Sequence, residues 1–243
     1  MAEAVELSVV VPVYNESGAA GALAREISQA LEGYSFELIF VDDGSRDETR
    51  AELASARASL PRLRIVAHRR NAGQSRAIRT GVLAARAPLV ATLDGDGQND
   101  PADIPRLLAR MLRPDAPADL ALVSGRRSKR ADPPAKRFAS RVANGVRRRL
   151  LRDGAIDSGC GAKVMRREAF LRLPYFDHMH RFLPALMIRE GFAVEFLEVG
   201  HRPRLHGRSK YDNLGRLRAS FSDVLGVMWL NARARAPGGI DEF

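Results

Sequence analysis

The segment Asp94-Gly95-Asp96-Gly97-Gln98-Asn99-Asp100-Pro101 carries the residue types in this chain best suited to chemistry. It follows an apolar run, 88–93, that reads as a buried strand. Side chains alternate along an extended chain, so carboxylates one residue apart at a strand end face the same way. Hard divalent cations take such oxygen ligands. Gln98 adds an amide oxygen at the next alternate position. Gly95 and Gly97 let the backbone come close to a ligand. The competing reading of D-x-D alone is an acidic turn that caps the next helix, since short acidic motifs are common.

The elements around the segment decide between the two. Runs 7–13, 37–41, 63–67 and 89–93 predict strands, and 19–32, 49–59 and 76–86 have helical periodicity. This alternation means an α/β fold with a mostly parallel sheet flanked by helices. Ligands of such sheets bind beyond the carboxyl ends of the strands. Tyr14-Asn15-Glu16, Asp42-Asp43 and Asp94-x-Asp96 all fall at such ends, and their convergence favours a ligand site. Further on, the pattern predicts a helix to about 112, a strand at 120–124 followed by Gly125-Arg126-Arg127, and a Gly-rich turn with a strand within 157–165. A helix at 180–190, a strand at 193–199, a loop at 206–211 and a last helix at 213–233 complete the chain. The expected organisation is a catalytic domain, 1–212, with a C-terminal amphipathic helix and tail, 213–243.

With 243 residues, 45% hydrophobic and 28% charged, the chain can bury a substantial core. The single cysteine, Cys160, excludes an intrachain disulfide and a thiolate metal cluster. The acidic N-terminus predicts no signal peptide, and no run predicts a bilayer span. A formal net charge of +10 points to a polyanionic partner: nucleic acid, anionic lipid or a phosphorylated substrate. Aromatic residues make up 6%, too few to interleave with the basic residues as nucleic-acid binding requires. The acidic strand ends would also repel such a backbone.

Val11-Pro12-Val13-Tyr14-Asn15-Glu16, Val41-Asp42-Asp43-Gly44-Ser45, Asn71-x-Gly73 and Asp94-Gly95-Asp96-Gly97-Gln98 together resemble glycosyltransferase family 2. The subgroup resembled is the polyprenyl-phosphate glycosyltransferases, similar to dolichyl-phosphate mannose synthase. Gly125-Arg126, Lys136-x-x-x-Ser140 and Arg204-x-x-Gly207-x-Ser209-Lys210 carry that likeness. It covers roughly residues 6–212. Gly97 and Lys136 depart from it, standing where relatives often have a larger apolar residue and an arginine. The resemblance implies a GT-A type fold, a divalent cation (Mg²⁺ or Mn²⁺), and inversion at the anomeric carbon. It implies that Pro12, Tyr14 and Glu16 line the base and ribose pocket and that Asp43 accepts from the base. Asp94 would help hold the ribose and metal, with Asp96 and Gln98 ligating the cation. Arg204, Ser209 and Lys210 would close over the diphosphate, and Arg126, Lys136 and Ser140 would hold the acceptor phosphate. Asp157 has two readings, orienting the site or the sugar, or capping a turn.

The implied reaction moves a sugar from a GDP- or UDP-sugar to a polyprenyl phosphate. The alternative is transfer to a hydroxyl of a soluble or envelope glycan. The basic band at 126–149 and two amphipathic stretches favour the lipid acceptor. Residues 136–151 combine Phe138, Val142, Val146, Leu150 and Leu151 with six basic side chains, and 214–230 adds Phe221, Met228 and Trp229. Both have the composition of helices lying in a membrane interface. The expectation is a peripheral enzyme on the cytoplasmic face of a membrane, with or without a membrane partner subunit.

Overall fold

The computed structural model describes residues 5–127, 145, 149–155, 157, 159–203 and 213–235, with side chains in the last helix from residue 221 onward. Lys136, Ser140, Arg204, Ser209, Lys210, the 206–211 loop and most of the 137–151 helix lie outside the described residues.

Strands β1 (Leu7–Val13), β2 (Phe36–Asp42), β3 (Leu63–Ala67), β4 (Leu89–Thr92), β5 (Leu120–Arg127), β6 (Lys163–Arg166) and β7 (Ala193–Val199) form one sheet in the order β3-β2-β1-β4-β6-β5-β7. Every residue of β1, β2 and β4 is buried, because helices cover both faces of the sheet. On one face α1 (Ala20–Ala30), α2 (Thr49–Arg57) and α4 (Asp103–Leu112) close a core around Val9, Val11 and Phe40. On the other, α3 (Gln74–Ala84), α5 (Arg167–Arg172), α6 (Leu183–Arg189) and α7 (Asn213–Arg233) share the layer over Val10, Ile39 and Val41. Gly81 lets α3 lie directly on β1, since a Cβ there would strike the Val10 side chain.

β6 is antiparallel to β4 and β5, and the other pairs are parallel. The reversal has a local consequence. Lys163, the first residue of β6, pairs with Thr92 at the end of β4 and with Ser124 of β5. The start of β6 therefore joins the carboxyl ends of the parallel strands at one edge.

Several expected boundaries move. β5 runs on to Arg127, because pairing continues through Arg126 with Glu198 and Arg127 with Val199 of β7. α3 starts at Gln74 rather than 76, after Gly73 at φ 89°, a backbone region that suits glycine. The expected helix at 180–190 divides into a 3₁₀ turn, Met179–Arg181, and α6 with Pro184 in its first turn. Along α7, Phe221, Leu225 and Trp229 are exposed at 68%, 49% and 60%, while Val227 is buried. Met228 packs with Val224 and Leu230 against the core, so it leaves the outward face on which the sequence reading set it.

Candidate active site

Asp94 follows β4 after Leu93, at the carboxyl-end edge of the sheet. Its backbone N–H donates to Asn99 Oδ1 at 2.9 Å, which closes the Asp94–Asn99 turn with Asn99 itself buried. Gln74 Nε2, from the first turn of α3, donates to Asp94 Oδ1 at 2.9 Å. The back of the carboxylate lies on Gly161, where a Cβ would collide with it. Asp96 Oδ1 accepts from the Gln98 N–H at 3.1 Å. Gly97, at φ 71°, makes the bend between them. Burial pushes the Asp94 carboxyl above its ordinary range and Asp96 adds to this, while Lys163, Arg127 and Gln74 pull the other way. A cation between the two carboxylates would offset the repulsion that Asp96 imposes on Asp94. The donors are carboxylate and amide oxygens, the set that Mg²⁺ and Mn²⁺ prefer. Asp94, Asp96 and Gln98 thus fit a hard divalent ion.

Beside this turn, the loops after β1 and β2 are laced together. The Asn15 and Glu16 N–H groups donate to Ser45 Oγ at 2.9 Å and Thr49 Oγ1 at 2.8 Å. Asn15 Oδ1 accepts from the Arg46 N–H at 2.8 Å, with Asn15 in the left-handed region at φ 51°. Pro12 is buried in β1, and its carbonyl leaves no room for a side chain at Gly95. A cleft of about 410 Å³ opens over these loops, lined by Tyr14, Arg46, His68, Arg69, Arg70 and Asn71 among others. Its lining is rich in arginine and other polar residues, which suits a nucleoside diphosphate better than an apolar ligand. Glu16 stands half-buried at its margin.

Asp43, expected to meet the base, serves the protein's own chain in this structure. Its Oδ1 accepts from His68 Nδ1 at 2.6 Å and Ala72 N at 2.9 Å; its Oδ2 accepts from Asn71 Nδ2 and Gly73 N, each at 2.8 Å. These donors occupy the carboxylate's lone-pair directions, so Asp43 shapes the 68–73 loop that walls the cleft.

At the far side of the edge, strand alternation separates two arginines. Arg126 Nη2 donates to Glu198 Oε1 at 2.8 Å, a solvent-side cross-strand pair. Arg127 turns inward and donates from Nε and Nη2 to the two oxygens of Asp157, at 2.6 and 2.8 Å. Burial works against the Arg127 charge, and the Asp157 pair outweighs it. Asp157 is thus the anchor of Arg127. Lys163 is buried behind them and donates from Nζ to the Cys160 carbonyl. Burial lowers its proton affinity, opposed by Cys160 and Asp94.

Two more groups complete the floor. Ser75 Oγ accepts from the His180 backbone N–H at 3.3 Å and lies within hydrogen-bond distance, 2.7 Å, of His180 Nδ1. Burial pushes the pKa of the ring well below its ordinary value. Arg202, after β7, reaches the Asp94–Asp100 loop from the opposite side.

The structure therefore brings Pro12, Tyr14, Glu16, Asp43, Asp94, Asp96, Gln98, Arg127 and Asp157 to one edge, and turns Arg126 away from it. Sequence reasoning missed Arg127, Gln74, Asn99, Lys163, His180 and Arg202. Arg127 was detectable by carrying the alternation of β5 three residues further. The others come from elements whose placement depends on the antiparallel β6 and on tertiary packing.

The chain's relatives agree with this geometry. The glycosyl transferase family 2 model matches residues 8–173. Dodecaprenyl-phosphate galacturonate synthase of Rhizobium johnstonii is 36% identical over 245 residues, 97% of this chain and 70% of that protein. Undecaprenyl-phosphate 4-deoxy-4-formamido-L-arabinose transferase of Pseudomonas paraeruginosa is 37% identical over 224 residues, 90% of this chain and 64% of that protein. This chain therefore spans about two thirds of the length of these relatives. Among solved structures, glucosyl-3-phosphoglycerate synthase of Mycobacterium tuberculosis, in complex with Mn²⁺, UDP and glucosyl-3-phosphoglycerate, has the same fold at a TM-score of 0.71 and 20% identity, covering 96% of this chain and 82% of that one. A mostly parallel sheet with a D-x-D turn at its carboxyl-end edge, and a family match across 8–173, lead to one conclusion: the chain belongs to glycosyltransferase family 2.

Proposed function

We propose that this protein transfers a sugar from a nucleoside diphosphate sugar to a polyprenyl phosphate, with inversion at the anomeric carbon. The observation that carries the reading is the opposition of two sites across one edge: the Asp94–Gln98 turn with its cationic cleft, and the inward Arg127–Asp157 pair beyond it. The first suits a diphosphate with its cation; the second suits a separate phosphate. Relatives named for dodecaprenyl- and undecaprenyl-phosphate chemistry support the acceptor class.

A phosphate acceptor makes the chemistry simple. Its second pKa is near 6, so it is already a nucleophile at neutral pH and needs no general base. Its oxygen attacks the sugar C1 as the nucleoside diphosphate departs from the opposite face. Asp94, Asp96 and Gln98 would hold a divalent cation there, which would neutralise charge on the leaving diphosphate. The cleft arginines hold the nucleotide, and Arg127 orients the acceptor phosphate by charge-assisted hydrogen bonds. Arg127 takes this role over Arg126 because it faces the site, held there by Asp157, whereas Arg126 points to the solvent side with Glu198. Lys136, Ser140, Arg204, Ser209 and Lys210 keep the roles that the resemblance implies for them.

We place the protein at a membrane surface. No helix among the described residues is long and apolar enough to cross a membrane. Phe221, Leu225 and Trp229 form an outward apolar stripe on α7 suited to the headgroup layer.

The test is donor screening with a polyprenyl phosphate acceptor, beginning with UDP-galacturonate, UDP-glucose and GDP-mannose. Arg127→Lys should lower kcat/KM for the acceptor about tenfold while nucleotide affinity holds, because a lysine cannot form the two-pronged contact. Arg126→Ala should stay within about twofold of wild type. Greater damage from Arg126→Ala, or transfer only to water-soluble acceptors, would overturn the assignment.

A further inference from the structure

After β7 the chain crosses the mouth of the Asp94–Asp103 loop and is fastened to it repeatedly. The Gly200 N–H donates to Asp103 Oδ2 at 2.8 Å. The Arg202 N–H donates to the Gln98 carbonyl at 2.8 Å, and Gln98 Nε2 lies 3.5 Å from the Arg202 carbonyl. The Arg202 guanidinium then divides. Nη2 donates to Asp100 Oδ1 at 2.8 Å, and Nη1 to Glu26 Oε2 of α1 at 2.7 Å. Asp100 Oδ1 also accepts from the Ala102 N–H at 3.0 Å, so the same carboxylate shapes the entry to α4.

We propose that Arg202 is a positioning residue for the cation-binding turn, setting Gln98 and the Asp96–Asp100 backbone by clamping them between α1 and the chain leaving β7. The inference rests on the reading of Asp94, Asp96 and Gln98 as the cation site. Arg202 is 42% exposed and its partners Glu26 and Asp100 are 47% and 32% exposed, so these ion pairs add little to global stability. Their effect is directional. Arg202 holds the Gln98 backbone carbonyl, its own carbonyl takes the Gln98 amide nitrogen, and the Gln98 N–H is held by Asp96, so both the backbone and the side chain of Gln98 are fixed. Gly97, in its left-handed conformation, would otherwise let this turn change shape at little cost.

Outer partners of metal ligands are worth about 10- to 100-fold in metal affinity. Mn²⁺ uptake by the full chain, followed by electron paramagnetic resonance in the presence of UDP and of GDP, reads this directly. Arg202→Ala should weaken Mn²⁺ binding about tenfold, with a melting temperature near that of wild type. Asp100→Asn, which cuts one arm of the clamp while keeping its shape, should weaken Mn²⁺ binding in the same direction by less. Arg202→Lys, which can hold one carboxylate at a time, should recover part of the loss. Raising Mn²⁺ should restore turnover in Arg202→Ala, so that the defect appears in the metal requirement and kcat at saturating Mn²⁺ is largely kept. Wild-type Mn²⁺ affinity in Arg202→Ala, or a loss that only tracks a fall in melting temperature, overturns the inference alone. Wild-type protein that takes up no Mn²⁺ with either nucleotide overturns the cation site and the inference with it.

Discussion

Asp94 shows how much of this site depends on a single side chain being hemmed in. Gln74 in front, Asn99 at its backbone and Gly161 behind leave the carboxylate one orientation. On the proposed cation site, Asp96→Asn should lower turnover about 100-fold or more at fixed Mg²⁺ without unfolding the chain. Retained activity in that variant, or full turnover in excess EDTA, would dismiss the cation. His180 offers a test of a different kind. The unfolded chain takes up a proton near 6.5, whereas buried folded His180 resists it. The folded pKa is depressed, so acid favours unfolding from about pH 6.5 downward, at no more than about 1.4 kcal/mol per pH unit. This window lies above that of the paired carboxylates Glu37 and Asp42, whose affinity for protons is lowered. His180→Gln, compared with wild type by thermal melts between pH 7 and 5, should show a shallower slope. An unchanged slope would mean that another group titrates there.

Elements were legible in proportion to their length and burial. β1, β2 and β4 stand out because helices on both faces make them continuous apolar runs. α5 has six residues and the Met179–Arg181 turn has three, too short for periodicity to register. The D-x-D turn and the strand-end clusters were legible because parallel topology sends all their strands to one edge. The arginine pair shows where that reasoning stops. Whether Arg126 or Arg127 faces the site depends on the phase of β5, and the phase is set by pairing with β7, which is distant in sequence. Gly81 was equally silent: its importance is that α3 lies against Val10 and Val41. Gly81→Ala gains helix propensity of about 1 kcal/mol, but overpacking against β1 should cost about 1–3 kcal/mol or more and so exceed that gain. Denaturant unfolding should show a net loss, and a stabilised variant would mean that α3 can lift off β1 freely.

At the scale of the whole molecule, charge and one helix face work together. A net charge of +10 accompanies an outward stripe of Phe221, Leu225 and Trp229. Burying each such side chain in a lipid interface contributes about 1.5–3 kcal/mol, and each basic residue near an anionic surface adds about 1 kcal/mol. Co-sedimentation with anionic vesicles should therefore be strong at low salt and weaker as salt rises. Phe221→Ser with Trp229→Ser should reduce it about tenfold or more at every salt concentration. Equal sedimentation of variant and wild type would move the lipid contact elsewhere on the protein.

β5 and β6 leave and re-enter the sheet at the same edge, with Ser124 paired to Lys163. They are the two stems of one connection, and its last residues, Gly161 among them, return against Asp94. Neither stem pairs with β1 or β2, so the loops that wall the nucleotide cleft are independent of it, while Gly161 and the β4–β6 pairing bind its end to Asp94. On the reading proposed above, the recipient can therefore be varied in the stretch before Asp157 while the cleft and the Asp94 turn are kept. A chimaera carrying the corresponding stretch of a relative should change its choice of recipient and keep its choice of donor.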